Sequence, residues 1–411
     1  MVHFIGELRE VWLRQRKNWR TVVIRNIFNR FFNEITLQYA NIYITLLGAT
    51  PIQLGAVSST LGLAQALISP PLGIIRDRYN IRKIYLVGTA LLITVPLIYA
   101  LASDWRLIVL AILISGLGMM IGSCVIICDL SLPTQDRATG KALCESIGAL
   151  PTILAPTVAA VILTYLGGIT VQGVRGLYWI QFVARVILFI YVYRNLTDID
   201  REPRASEKGT LLTDFKEVFQ RGIAVNRWLL FVALNMFTMS MLTTFRYNYA
   251  FEIKGATQFI LGGFATAMLV TETVFSTIIG RIADKIGRKR AFYILTPLFS
   301  LANLVLIYAH NQYWLIVSGL LMGFRMIAGF SYGSMTPELV PSDCLGRWRG
   351  LVGFVTGLAS IVAPVVGGLI WEYFGPEWIF IVIILIDILI RLPLLYSVPE
   401  TLKNARAHQL P

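Results

Sequence analysis

Arg30, Glu34, Gln38 and Asn41 recur at spacings of four, four and three inside a run with few other charges. On an α-helix that spacing puts all four on one face. Burial raises the proton affinity of a carboxyl group and a nearby guanidinium lowers it, so the balance permits titration near neutrality. Glu34 is therefore the leading candidate for a proton-carrying group, with Arg30 tuning it. The same pair also reads as a static ion pair that only specifies packing. Glu272, in the middle of a later apolar run, is the second proton-coupling candidate, or else a protonated donor to a neighbouring helix. Arg325 heads Arg325-Met326-Ile327-Ala328-Gly329 and reads as a cation able to meet Glu272, Glu34 or an anionic ligand. Arg246, next to Asn248, reads equally as a gate or as a side chain snorkelling to an interface. Tyr39, Tyr43, Asn235, Thr238, Thr243, Phe245 and Tyr332 supply mixed aromatic and polar surface of the kind that suits amphipathic molecules.

Metal chemistry has little support. His3, His310 and His408 are far apart in the chain, and the four cysteines (Cys124, Cys128, Cys144, Cys344) are too few for a disulfide scaffold. Cys124 and Cys128, one turn apart near Met119 and Met120, can be read as a soft-metal pair, but small apolar residues are the usual content of such helices. No metal site and no cofactor are expected.

These residues must be positioned by elements that the composition makes plain. Of 411 residues, 56% are hydrophobic and 14% are charged. Soluble domains carry about 25% charge, so this is the composition of a polytopic membrane protein. A membrane helix needs roughly 20 mostly apolar residues. Twelve stretches qualify: 26–48, 52–75, 84–103, 106–129, 141–166, 176–195, 227–251, 257–281, 290–310, 312–336, 350–373 and 376–397. The first is the least apolar. The runs are continuous rather than alternating, which excludes a β-barrel. Charged residues crowd the first twenty positions, so no cleaved signal peptide is expected. The basic residues outside the spans concentrate on alternate connections, which by the positive-inside rule puts both termini in the cytoplasm. The net charge of +13 is then a topology signal, and no nucleic-acid partner is implied. Residues 4–19 and the second part of the polar segment 196–226 read as amphipathic helices at that interface.

The chain repeats itself at an offset of 207 residues: Gly73, Asp77, Arg78, Arg82 and Lys83 recur as Gly280, Asp284, Lys285, Lys289 and Arg290, with Arg288 also in the second string. Near the ends, Ala155-Pro156-Thr157-Val158-Ala159-Ala160 pairs with Ala363-Pro364-Val365-Val366-Gly367-Gly368. Six spans per copy give two parallel halves, residues 1–195 and 227–411, joined by the linker 196–226. Two copies of a Gly-x-x-x-Asp-basic string, each at the end of the second span of its half, resemble the signature of the major facilitator superfamily. Asn80 and Ile81 replace a Gly and a basic residue in the first copy.

That resemblance implies an all-α fold of two pseudo-symmetric six-helix bundles. It further implies that Asp77 and Asp284 face helix N-termini of the opposite half, a contact that breaks when the halves swing apart. In that family the first, fourth, seventh and tenth helices line a cavity, so Arg30, Gln38, Asn41, Tyr39, Asn235, Arg246 and Arg325 become substrate-cavity candidates. Arg185 and Asp387, on peripheral helices, are expected to be structural. The Ala-Pro-Val-Val-Gly-Gly run resembles the family's antiporter signature, but its better copy lies in the eleventh span rather than the fifth. Arg325 with Gly329 resembles a pattern usually found in the fourth, and Pro399-Glu400 the family's terminal motif. The function implied is secondary transport by alternating access, with protons as coupling ion and small amphipathic molecules exported across the cell membrane. Uptake of a metabolite and a transporter-like sensor are the rivals. A monomer is expected, and neither an ATP-binding motif nor a histidine placed for catalysis suggests an enzyme.

Overall fold

A computed structural model describes residues 17–78, 80–121, 127–128, 131–132, 137–198, 219–341 and 344–400. Helices occupy each of the twelve apolar stretches: α1 (Lys17–Leu46), α2 (Pro51–Arg78), α3 (Ile81–Leu101), α4 (Trp105–Ile121), α5 (Arg137–Thr152), α6 (Ala155–Tyr165), α7 (Val171–Asn195), α8 (Val225–Asn248), α9 (Gln258–Ile286), α10 (Arg288–Ile307), α11 (Tyr313–Met335), α12 (Leu345–Tyr373), α13 (Glu377–Leu385) and α14 (Leu392–Tyr396). Among the described residues there is no strand. Among the described residues eight helical stretches, α1 and α2 not among them, are long and apolar enough to cross a membrane, and two further apolar helices, Trp105–Met119 and Tyr313–Gly329, are shorter.

The elements depart from the apolar runs where local chemistry intervenes. α1 is already helical at Lys17, nine residues before the apolar run, where Trp19, Val22 and Val23 are fully buried and extend the packed face. The fifth stretch is broken into α5 and α6 at Ile153-Leu154, between Pro151 and Pro156, each of which lacks the N–H that an uninterrupted ladder needs. The twelfth contains a π-helical turn, Ile386–Arg391, between α13 and α14, and α8 ends in a second one, Tyr249–Ile253. Side-chain caps fix several starts. Asn80 accepts from the amides of Arg82 and Lys83 before α3, Thr170 from Gly173 before α7, and Thr257 from Ile260 before α9.

By packing, the chain forms two units, one of Met1–Gly48 with Leu67–Ala205 and one of Ala49–Ala66 with Ser206–Pro411. Residues 51–66 of α2 thus pack with the second unit. In the first unit a core of Trp19, Val22, Tyr85, Ile127, Cys144 and Val192 gathers the ends of α1, α3, α5 and α7. In the second unit Trp228, Phe231, Phe292, Cys344 and Trp348 do the same for α8, α10 and α12. Tyr85 and Phe292 stand 207 residues apart, so the repeat in the sequence is a repeat in the core.

Helix surfaces are polar inside and apolar outside. On α7 Gln181 and Arg185 are 3% and 8% exposed, whereas Val183 and Ile187 are 52% and 60% exposed. Water would penalise such a surface and lipid favours it. Within the second unit glycines let backbones approach. A Cβ on Gly319 would stand 2.3 Å from the Phe264 carbonyl oxygen, and one on Gly323 2.7 Å from that of Met268, which locks α11 onto α9. Gly55 and Gly62 of α2 likewise leave no room for a Cβ against Pro364 and Ser360 of α12, and Ser59 Oγ donates to the Ile361 carbonyl at 2.5 Å.

Candidate functional site

In the first unit the polar face of α1 runs along α5 and α6. Asn26 Nδ2 donates to Cys144 Sγ at 3.6 Å, and both Asn26 and Arg30 fill the space that a side chain on Gly148 would take. One turn beyond Glu34, Gln38 is 1% exposed and donates through Nε2 to the Pro156 carbonyl at 3.2 Å, while its buried Oε1 has no partner among the described residues. Glu34, Arg30 and Asn41 are half-buried, and Tyr39 is fully buried. Farther along, Tyr43 donates to the Tyr99 carbonyl at 3.0 Å and accepts from Arg175 Nε at 3.1 Å, within a cluster where Tyr99 and Tyr178 stack at 4.4 Å.

The second unit holds the stronger electrostatic constellation. Arg325, on α11, lies 3.2 Å from Asp387 Oδ2, donates to Thr238 Oγ1 of α8 at 2.9 Å, and places its guanidinium carbon 4.7 Å from the Phe299 ring centroid. Arg391, one turn past Asp387, closes on the other carboxylate oxygen and lies 5.3 Å and 5.2 Å from the Phe231 and Phe292 rings. All three charges are buried, so two guanidiniums share one carboxylate. The π-helical turn holds both Asp387 and Arg391 inward while Ile388, Leu389 and Ile390 face out. Thr238 passes the network on by donating to the carbonyl of Asn235, itself buried. Arg246 is buried too, against Met268 and Tyr247. Glu272 is half-buried in the middle of α9.

Arg325 and Asp387 are thus brought together, a pairing absent from the sequence reading, which assigns Arg325 to the cavity and leaves Asp387 apart as structural. The i, i+4 spacing of Asp387 and Arg391 is a visible signal of the second contact. Arg185 donates to the Leu92 carbonyl and, at 3.2 Å, to Asn33 Oδ1, joining α7 to α3 and α1.

The signature strings sit at helix ends. Gly73, Asp77 and Arg78 lie on the last turns of α2, their side chains outside the described residues, as are Cys124, Asp129 and the side chain of Tyr332. Gly280, Asp284 and Lys285 lie on the end of α9, with Asp284 and Lys285 exposed. Arg288 forms an ion pair with Glu338 at 2.5 Å. The strings also lead into two matching clasps. In the first unit Asn80 and Arg82 bind Asp198, at 3.2 Å and 3.6 Å, and Arg82 donates to the Tyr193 carbonyl at 3.5 Å. In the second, Glu400 accepts from the Lys289 amide at 3.2 Å, and Lys289 Nζ donates to the carbonyls of Tyr396 and Val398. Gly287, at φ 104°, leaves room for the Glu400 carboxylate, which would stand 2.8 Å from a Cβ there. Pro399-Glu400 therefore closes the second unit as Asp198 closes the first. Among the described residues no group of three metal-ligating side chains occurs.

The profile of the Major Facilitator Superfamily matches residues 26–271 and again 251–409. The multidrug transporter protein MdtP of Bacillus subtilis (strain 168) is 30% identical over 122 residues, 28% of this chain and 21% of that protein. The riboflavin transporter RibZ of Clostridioides difficile (strain 630) is 28% identical over 126 residues, 30% of this chain and 27% of its own. The matched part therefore spans about a fifth to a quarter of the length of these curated relatives. The crystal structure of the nucleoside transporter NupG superposes with a TM-score of 0.74, covering 93% of this chain and 100% of NupG at 15% identity, a likeness of fold. With a family match across most of its length and helices that bury polar residues and expose apolar ones, this multi-pass membrane protein belongs to the Major Facilitator Superfamily.

Proposed function

We propose that the chain is a secondary transporter of twelve membrane spans, with both termini on the cytoplasmic side of the cell membrane, acting as a monomer. It exposes its binding site alternately to the two sides and exports amphipathic compounds in exchange for protons. The observation that carries this reading is the polar face of α1, where half-buried Arg30 and Glu34 and fully buried Gln38 share a helix packed along α5 and α6. Intramembrane polar groups are costly and mark solute or ion pathways. Glu34 is the proton-coupling group, Glu272 the second candidate, and Tyr39, Asn41, Asn235, Arg246 and Arg325 belong to the solute-handling set. The signature strings at 73–83 and 280–290 act as the conformational switch.

The test is solute-driven proton movement in proteoliposomes with an internal pH dye, using cationic amphiphiles first, then sugars and organic acids. Loss of the response in Glu34→Gln, with the fold kept, supports coupling at α1. A response retained by that variant moves the coupling site to Glu272. Solute flux without proton movement replaces exchange by uniport, and ligand binding without flux replaces transport by sensing.

A further inference from the structure

The turn between α9 and α10 is the single residue Gly287, and charge crowds both sides of it. Arg288 forms an ion pair with Glu338, and Lys289 is held in the clasp with Glu400 and the carbonyls of Tyr396 and Val398. Three further cations, Arg281, Lys285 and Arg290, are exposed, and among the described residues no ion pair takes them up. Asp284 is the exposed carboxylate of the same stretch, so three positive charges face one negative. In the first unit, by contrast, Lys83 is the one exposed cation described on α3 and Arg194 the one on α7.

The three cations continue the apolar faces of their helices. At ~100° per residue, Val274, Ile278, Arg281 and Lys285 fall within about 60° of one another on α9, and Asp284 lies to one side. Arg290, Ile294, Leu301 and Tyr308 fall within about 40° on α10. The apolar members of both stripes are exposed, as is Tyr308. Arg290 and Tyr308 are ~27 Å apart along the helix axis at ~1.5 Å per residue, close to the ~30 Å of a hydrocarbon core. A stripe of that length, with a guanidinium at one end and a tyrosine at the other, sets Arg290 at the depth of the lipid phosphates.

We propose that the exposed surface at the α9–α10 turn is a headgroup site for an anionic phospholipid. The phosphate accepts from Arg281 and Lys285, one turn apart on α9, with Arg290 beside it in the first turn of α10. The acyl chains lie along the stripes of Val274 and Ile278 and of Ile294 and Leu301. The excess of cations selects an anion, and the apolar stripes that run from them select one that carries chains. The placing of this lipid in the cytoplasmic leaflet rests on the topology proposed above.

The experiment uses the purified full chain, stripped of lipid in detergent, and counts bound lipid by native mass spectrometry. Dioleoylphosphatidylglycerol is titrated against dioleoylphosphatidylcholine, whose headgroup has no net charge. The expected result is a saturable site that prefers phosphatidylglycerol by ~10-fold or more. Arg281→Gln and Lys285→Gln should each lower that preference by about 3–5-fold, and the triple variant with Arg290→Gln should abolish it. The double variant Lys83→Gln, Arg194→Gln should keep it. Equal binding of the two lipids, a preference that survives the triple variant, or an equal loss in the double variant overturns the proposal. So does binding of sn-glycerol 3-phosphate as tight as that of the lipid, which would make this a soluble-phosphate site. If the triple variant does not fold, the lipid competition on the parent chain and on the double variant decides. The topology is tested separately with Arg290→Cys and a membrane-impermeant maleimide. Labelling of that variant in intact cells, where the parent chain is not labelled, overturns the cytoplasmic assignment and leaves the headgroup contact to the titration.

Discussion

Asp387 is the residue whose loss the second unit should tolerate least. It is fully buried, and its two carboxylate oxygens neutralise Arg325 and Arg391, which have 5% and 0% of their surface exposed. Asp387→Asn keeps the shape and removes the charge, leaving two guanidiniums in the interior without a counter-ion. Stripping one partner from a buried pair costs roughly 3–5 kcal/mol, and the second stranded arginine places this case at the upper end. For a unit of this size that corresponds to about 6–20 °C in the unfolding midpoint. Cys128, Cys144 and Cys344 are free and buried, so a thiol-reactive dye that fluoresces on labelling reports unfolding in detergent. The triple variant Arg325→Met, Asp387→Leu, Arg391→Met removes all three charges, and replacing a buried ion cluster by apolar residues of similar volume is often neutral. It should therefore unfold above Asp387→Asn although it carries three changes. Asp387→Asn unfolding within about 2 °C of the parent, or the triple variant below the single one, would refute the reasoning that charge balance rather than shape is at stake.

Three further outcomes can be read with the same dye. Gly319→Val drives side-chain atoms into the Phe264 carbonyl, where even a Cβ stands at 2.3 Å, and should cost about 1–3 kcal/mol, with Gly353→Val, which has open space at its Cβ, as the mild control. Gly287→Ala combines a strained φ of 104° with a clash on Glu400, so it should destabilise more than Glu400→Gln, which only weakens the clasp; the reverse order would mean that the turn is not strained. Gln38→Met removes the donor to the Pro156 carbonyl and should lower the midpoint by an amount matching about 1 kcal/mol, since the amide already buries an oxygen with no partner.

The helices were legible because lipid-facing helices are continuous apolar runs, and the family was legible because its signature stands twice at an offset of 207. Helix ends were less so. α1 is helical at least nine residues ahead of its apolar run, where buried Trp19 and Val22 prolong its packed face through basic sequence, and tertiary packing of that kind has no local mark. The break between α5 and α6 is marked by Pro151 and Pro156, a signal that apolarity alone does not carry. Among the charges, the Arg325–Asp387 pair joins positions 62 residues apart on α11 and the twelfth stretch, and no spacing rule links them. Gly319-x-x-x-Gly323, by contrast, is a close-packing pattern in plain view.

The repeat itself separates scaffold from chemistry. Residues that recur at the 207 offset lie where helices end: Asn80 and Gly287 at matching turns, Arg82 and Lys289 in matching clasps, Tyr85 and Phe292 in matching cores. Intramembrane charges do not recur. Glu34 corresponds to Met241, Arg30 to Phe237, Arg246 to Tyr39, Arg325 to Gly118, Asp387 to Ile180 and Glu272 to Gln65. A charge that serves one ligand is needed once, because a small solute has one carboxylate or one proton to place. Arg325 and Arg391 spend their charge on Asp387, so their asymmetry belongs to the packing of the second unit, whereas Arg246 lies against the Met268 sulfur and the hydroxyl and ring of Tyr247.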